Sequence, residues 1–194
     1  MIVRLLNIAA FAITFAFVEA ATVIFLRVLL GDNADVYQIG GKTVGTLLIL
    51  PVFGSLRDVY AAIPNTQIIW VEQWREIVSL VMLLSFSWLA ADQFVYHVRH
   101  ESEVHRRALW LARLAVFLFA FGLLHIFFSV FLHFLINQPG SLMELDVLFL
   151  LPVPWVAPVA VSLALSGLFV GVGCWLLWRV QKATSVQQLL QEVK

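Results

Sequence analysis

Charged residues are scarce in this sequence. Aspartate, glutamate, lysine and arginine make up 12% of its 194 residues, and the formal net charge is zero. Soluble domains usually carry about twice that share of charge. The composition therefore excludes an ordinary soluble domain. It also shows no basic stripe of the kind that binds a polyanion, so we expect no nucleic-acid partner.

Cysteine is almost absent as well, with Cys174 the single example. One cysteine excludes an internal disulfide, and it excludes zinc or iron–sulfur sites that are built from cysteine. Cys174 lies in an apolar run, which favours a packing role for its side chain.

Apolar residues dominate what remains. They make up 62% of the chain, and the mean hydropathy is +0.95. A helix that crosses a bilayer needs about 20 mostly apolar residues, and four segments meet that length. The sequence therefore predicts an all-α integral membrane bundle, a single transmembrane domain over residues 1–194, with helices at about 5–30, 67–95, 109–136 and 147–180.

Turn-forming residues separate these segments. An extended outer loop is predicted between Gly31 and Asn65, because it joins the first two helices and is too polar overall to span. The start of the fourth segment is broken by Pro152, Pro154 and Pro158. Proline is tolerated in the first turn of a helix but not inside it, so we expect a regular helix from about Pro158. Residues 146–155 then form a short helix or a non-helical stretch that is shielded by protein.

The distribution of positive charge predicts the orientation. Cytoplasmic loops of membrane proteins carry an excess of lysine and arginine. The long loop after the first helix carries only Lys42 and Arg57 against three aspartates. The other connection and the two termini are richer in basic residues: Arg4, Arg99, Arg106, Arg107, Arg113, Arg179, Lys182 and Lys194. We therefore expect both termini on the cytoplasmic side of a bacterial inner membrane.

Ionisable side chains at membrane depth are the main candidates for function, because they are costly in lipid and usually serve a purpose there. With a rise of about 1.5 Å per residue, Glu19, Glu76 and His125 lie about 12, 13 and 16 Å below the same face. Three helices thus place an ionisable group at nearly one level. The predicted buried polar cluster consists of Glu19, Glu72, Arg75, Glu76, His125 and His133.

Several interpretations of this cluster remain open. The residues form a structural ion-pair network around Arg75, or Glu19, Glu76 and His125 hold a metal ion, as carboxylate-rich bundles do. A third alternative is a proton or ion relay through the same side chains. A fourth is haem or chlorophyll ligation by His125 or His133.

The proline-rich stretch that precedes the fourth helix has two interpretations. It is a broken helix start at the outer surface, or it is a gate over the cluster. The gate residues would be Asp146, Pro152, Pro154 and Trp155.

Short motifs in all four helices resemble a family of uncharacterised bacterial multi-pass membrane proteins. They are Glu19-Ala20-Ala21-Thr22-Val23 with Leu26-Arg27, Glu72 with Arg75-Glu76, Phe121-Gly122, Leu148-Phe149-Leu150, Pro152-Val153-Pro154-Trp155 and Pro158-Val159. The family usually carries a Trp-Asp pair where this chain has Leu124-His125, which keeps an ionisable group but changes its type. The resemblance implies a bacterial membrane origin and the importance of Glu19, Arg75 and Glu76. It implies no reaction.

The functional expectation is a non-catalytic integral membrane subunit or accessory protein of a larger complex, for example a respiratory or photosynthetic one. Its partners would be the lipid bilayer and other membrane subunits. The alternatives are a small membrane metalloprotein or redox enzyme that uses the carboxylate and histidine site, and a proton or ion transporter.

Overall fold

The structure is a computed structural model that describes residues 2–30, 52–53, 66–95, 103–149 and 155–192. Within these ranges four helices are long and apolar enough to cross a membrane. They are α1 (Ile2–Leu30), α2 (Thr66–Val95), α3 (Glu103–Ile136) and α4 (Val159–Glu192). The predicted all-α fold with four transmembrane helices is confirmed. The chain is a multi-pass membrane protein, and its apolar helices lie in lipid.

Each helix is longer than the hydrocarbon layer that it crosses. The helices contain 29 to 34 residues, which corresponds to about 44 to 51 Å of helix against about 30 Å of hydrocarbon. Their ends therefore reach into or beyond the headgroup region. This is where their aromatic and basic side chains are expected to lie.

The fourth helix begins at Val159, well after the predicted start at residue 147. The residues before it form two strands, β2 (Leu145–Phe149) and β3 (Trp155–Pro158). These pair in antiparallel fashion, with Asp146 opposite Ala157. The apolar content of residues 147–158 suggested helix, but the prolines deny the backbone the hydrogen bonds that a helix needs. The expected helix start near Pro158 agrees with the structure.

A third strand, β1 (Val52–Phe53), pairs with β3 on its other side. The strand order is therefore β1-β3-β2. Apart from β1, the predicted outer loop lies outside the described residues.

The first N–H groups of α4 are satisfied by the turn that precedes β2. The amide of Val159 donates to the carbonyl of Glu144 (3.0 Å), and the amide of Ala160 donates to the carbonyl of Leu142 (2.8 Å). These amides have no partner within the helix itself. The turn after α3 therefore caps the start of α4.

Asn137 ends α3. Its φ of 56° lies in the left-handed region, which asparagine tolerates better than most side chains. Its amide donates to the carbonyl of His133 at 2.8 Å. This conformation is the usual way for a helix to stop.

The chain divides into two compact units. The first unit comprises Met1–Phe15, Val81–Ile126 and Leu165–Lys194, and the second comprises Ala16–Leu80 and Phe127–Ala164. All four helices contribute to both units.

The first unit is held together by small residues. A Cβ atom added to Gly122 would lie 2.5 Å from the carbonyl oxygen of Ser166, and one added to Gly173 would lie 2.8 Å from that of Ala115. The backbones of α3 and α4 therefore touch at two glycines. Fully buried alanines such as Ala112 contribute to the same core.

The second unit has an apolar cluster near the C-terminal ends of α1 and α3. Ala20, Val23 and Leu132 are buried there, and Phe128 and Phe131 pack against them. The polar side chains of the candidate site lie in this same unit.

Candidate functional site

The site begins with one acidic residue of α1. Glu19 is only 6% exposed and is one of the few buried polar residues of the described chain. Its surroundings in α1 are apolar, which means that its charge needs a partner from another helix. That partner comes from α2.

One face of α2 carries the polar side chains that meet Glu19. Glu72, Arg75 and Ser79 recur at intervals of three and four residues, so they lie along a single stripe of the helix. All three are half-buried. The spacing therefore presents two donors and one acceptor to α1.

Arg75 lies at the centre of the cluster. Its Nε donates to Oε2 of Glu72 at 3.0 Å, and its Nη2 donates to Oε1 of the same carboxylate at 2.6 Å. Its Nη1 donates to Oε2 of Glu19. The planar guanidinium therefore holds Glu72 in a fork and reaches Glu19 with its remaining edge.

Ser79 completes the contacts of Glu19. Its Oγ lies 2.5 Å from Oε1 of Glu19 and 2.8 Å from the carbonyl oxygen of Arg75. A serine hydroxyl has one proton and donates to one acceptor at a time. The shorter distance and the charge of the carboxylate favour donation to Glu19. Both oxygens of Glu19 therefore accept a hydrogen bond from α2.

The charges of this cluster do not balance. Glu19 and Glu72 carry two formal negative charges against the one positive charge of Arg75. The side chains of Arg75, Glu19 and Glu72 are 17%, 7% and 16% exposed, so water screens them weakly. Electrostatic attraction is strong in such surroundings, and so is the cost of losing one member.

The other predicted site residues have different environments. Glu76 lies one residue beyond Arg75 on α2, is half-buried and has an interaction of its own. His125 belongs to the first unit, where its Nδ1 lies 3.1 Å from the carbonyl oxygen of Phe121. Its ring packs 4.2 Å from the Phe121 ring, centroid to centroid. The grouping of His125 with Glu19 and Glu76 stays a prediction.

His133 is exposed, although it was predicted to be buried. Its Nδ1 lies 3.0 Å from the carbonyl oxygen of Pro139, in the turn after α3. The prediction relied on steps of four residues from His125. Each such step turns a helix by about 40° beyond a full circle, so two steps bring His133 towards a different face.

The proposed gate is described only in part. Asp146 lies in β2 and Trp155 in β3, where the backbone of Trp155 pairs with Phe149. Pro152 and Pro154 lie outside the described residues. The gate therefore stays a prediction.

No group of three or more histidine, cysteine, aspartate or glutamate side chains with the spacing of a metal site occurs in the part of the chain that the structure describes. In the described cluster the cation beside Glu19 is the guanidinium of Arg75. The arrangement pairs opposite charges between two helices.

Two features of the structure were not singled out from the sequence. One is the pair Gly167 and Gly171 on α4, where an added Cβ would meet no atom within 4 Å. The small-x-x-x-small spacing is the signal that marks this pair. The other is Arg113 of α3, which was counted only for its charge.

Comparison with protein-family models, with curated proteins and with solved structures finds no match to this chain.

Proposed function

We propose that this chain is a non-catalytic integral membrane subunit or accessory protein of a larger bacterial membrane complex, such as a respiratory or photosynthetic one. The observation that carries the proposal is the outward glycine face of α4, formed by Gly167 and Gly171. Both glycines are exposed and no atom lies within 4 Å of where their Cβ atoms would be.

Such a face is suited to binding another transmembrane helix. Helices associate in lipid mainly through close packing, and glycines four residues apart let two backbones approach. Leu168, on the same side of α4, is 59% exposed. It would supply the apolar contact beside the glycines.

The burial of the four helices supports this assignment. Only 17% of the most apolar window of α4 is buried, against 33% to 39% in the other three helices. The fully buried share of α4 is therefore the smallest among the four described helices.

The opposite side of α4 shows how the chain uses glycine at a helix contact. Gly173 lies against the backbone of Ala115 and Phe119. Two residues of helix correspond to about 200° of rotation, so Gly173 and Gly171 lie on opposite sides. One glycine side of α4 is filled by α3, and the other is open.

The ion-pair cluster supports a non-catalytic role. Arg75 donates to both Glu72 and Glu19, and Ser79 lies at the second oxygen of Glu19. Charges in the membrane pair with one another, and a pair that spans two helices fixes how those helices pack.

The location we propose is the bacterial inner membrane, with both termini in the cytoplasm. The support is the excess of arginine and lysine in the connection between α2 and α3 and at the two ends of the chain. The resemblance of the motifs around Glu19, Arg75 and Pro152 to bacterial membrane proteins supports the same origin.

Blue native electrophoresis of mildly solubilised native membranes tests the proposal. We expect the tagged wild-type chain to migrate with a particle that contains other polypeptides in fixed ratio. Gly171→Leu fills the open face and should release the chain from that particle, because the two backbones no longer approach. Val81→Leu is the control. It also introduces an exposed leucine, because Val81 is 55% exposed, but on α2 instead of α4.

Three outcomes would contradict the proposal. The wild-type chain migrates alone, the particle contains only copies of this chain, or Gly171→Leu stays in the particle as Val81→Leu does. Circular dichroism of both purified variants checks that each retains its helices.

A further inference from the structure

An arginine lies against a pair of contacting indole rings on the surface of the first unit. The guanidinium carbon of Arg113 is 3.9 Å from the ring centroid of Trp88 on α2 and 5.4 Å from that of Trp110 on α3. The two indoles contact each other edge to face, with centroids 5.2 Å apart. We call these three residues the Arg113 site.

The Arg113 site faces outwards. Trp88 is 46% exposed and Trp110 is 60% exposed. Leu111 and Leu114, which flank Arg113 on α3, are 45% and 49% exposed. A positive charge therefore lies in an apolar surface that borders lipid.

The guanidinium has unused hydrogen-bonding capacity. Its Nε is buried and has no hydrogen-bond partner among the residues that the structure describes, so a ligand from outside the protein would be bound by the two Nη groups. The N–H bonds of a guanidinium lie in its own plane. When the guanidinium stacks on an aromatic ring, these bonds point sideways, where they can reach an acceptor. The indole faces attract the cation electrostatically, but they offer no oxygen or nitrogen acceptor for its N–H groups.

The depth of the site matches the phosphate level of a bilayer. The part of α3 that is long and apolar enough to cross a membrane runs from Arg106 to Ile136 and contains 31 residues, or about 46 Å of helix, and we take the bilayer to be centred on it. A hydrocarbon layer of about 30 Å leaves about 8 Å at each end for the headgroups. Arg113 lies about 10 Å from the Arg106 end, at the boundary between headgroups and hydrocarbon.

We propose that Arg113, Trp88 and Trp110 bind the headgroup phosphate of an anionic phospholipid in the leaflet that contains the connection between α2 and α3. The guanidinium would hold two phosphate oxygens in its fork, and the indole N–H groups are further donors. The acyl chains would run along the exposed leucines of α3. A lipid with a net negative charge supplies the counter-charge that Arg113 needs at this depth.

Native mass spectrometry of the full chain in a neutral detergent tests the site. The probes are phosphatidylglycerol, which is anionic, and phosphatidylcholine, which has a phosphate but no net charge. We expect wild type to bind phosphatidylglycerol more tightly. Arg113→Gln should weaken phosphatidylglycerol binding at least about tenfold, the factor expected for losing a hydrogen bond between charged groups, and should leave phosphatidylcholine binding unchanged.

Arg179→Gln is the matched control. Arg179 lies above a single indole, 5.1 Å from the centroid of Trp175, and is exposed. We expect this variant to bind phosphatidylglycerol within about twofold of wild type, because the site requires the pair of rings around one guanidinium.

Arg113→Lys distinguishes a specific phosphate site from non-specific electrostatic attraction between the protein and anionic lipids. Lysine keeps the charge but lacks the planar fork and stacks less well, so it should also lose most of the preference. Wild-type affinity in Arg113→Lys would overturn the proposal, as would equal losses in Arg113→Gln and Arg179→Gln. Unchanged phosphatidylglycerol binding in Arg113→Gln would overturn it too. If Arg113→Gln fails to fold, Arg113→Lys decides by the same comparison.

Discussion

Arg75 joins two helices through one side chain. Three of its nitrogens donate to carboxylates, two to Glu72 on its own helix and one to Glu19 on α1. The contact within α2 holds the guanidinium in place, so little side-chain freedom is lost when Glu19 binds. The contact between helices depends on the one within the helix.

Replacing Arg75 by alanine should destabilise the protein by about 3 kcal/mol, because the substitution leaves buried carboxylates without their counter-charge. Unfolding of the detergent-purified protein by titration with sodium dodecyl sulfate measures the change. Arg179→Ala is the control, since Arg179 is exposed, and it should change stability by less than about 1 kcal/mol. Equal stability of Arg75→Ala and wild type would show that the cluster does not hold α1 to α2.

The contacts of Arg75 with Glu72 and Glu19 join side chains that the sequence had placed at a similar depth on two helices. The membership of Glu76 in the same cluster stays a prediction. His133 shows the limit of the same reasoning, because the stripe drifts around α3 with each turn. Trp110 lies three residues before Arg113 on α3, a spacing that places the two side chains side by side, but Trp88 lies on α2, and no spacing rule connects it with Arg113.

At the scale of helices, the close contact between α3 and α4 depends on two glycines. The neighbours of Gly122 and Gly173 are backbone atoms, which cannot move aside as the end of a long side chain can. A methyl group at either position must push the helices apart. Gly167 lies on the same helix as Gly173 but in open space.

Gly122→Ala and Gly173→Ala should each destabilise the isolated protein by about 1 to 3 kcal/mol, the usual cost of overpacking. Gly167→Ala is the matched control, and it should be neutral or stabilising by up to about 1 kcal/mol because alanine favours helix. Thermal unfolding in detergent, followed by circular dichroism, compares the three. If all three variants melted at the same temperature, the close approach of α3 and α4 would be disproved.

The regular start of α4 near Pro158 was predicted from its prolines, whereas the predicted apolar segment 147–180 differs from α4 at both ends. Apolar composition marks α1 and α2 to within a few residues because lipid demands a continuous apolar run, and α3 begins six residues before its predicted start at residue 109. Apolar composition fails over residues 147–158 since a strand between prolines is as apolar as a helix. Composition cannot tell whether a backbone bonds to itself or to a neighbouring strand, as Val147 does with Val156.

For the molecule as a whole, the distribution of arginine and lysine predicts the side of the membrane on which each connection lies. Cysteine substitution with a membrane-impermeant thiol reagent on intact cells tests this, in a Cys174→Ala background. We expect Asn137→Cys, in the turn between α3 and β2, to react from outside. Lys194→Cys should react only after the cells are permeabilised. The reverse pattern would invert the topology and would place the Arg113 site in the outer leaflet.

The two hydrogen bonds that join Val159 and Ala160 to the turn at residues 142–144 also fix how deep in the membrane α4 begins. The first residue of α4 is tied to the end of α3 by backbone contacts, independently of how apolar α4 is. A bilayer of different thickness cannot slide this end of α4 along its axis without breaking both bonds. The mismatch would be absorbed by tilt or at the opposite end of the helix, where Trp175, Trp178 and Lys182 lie.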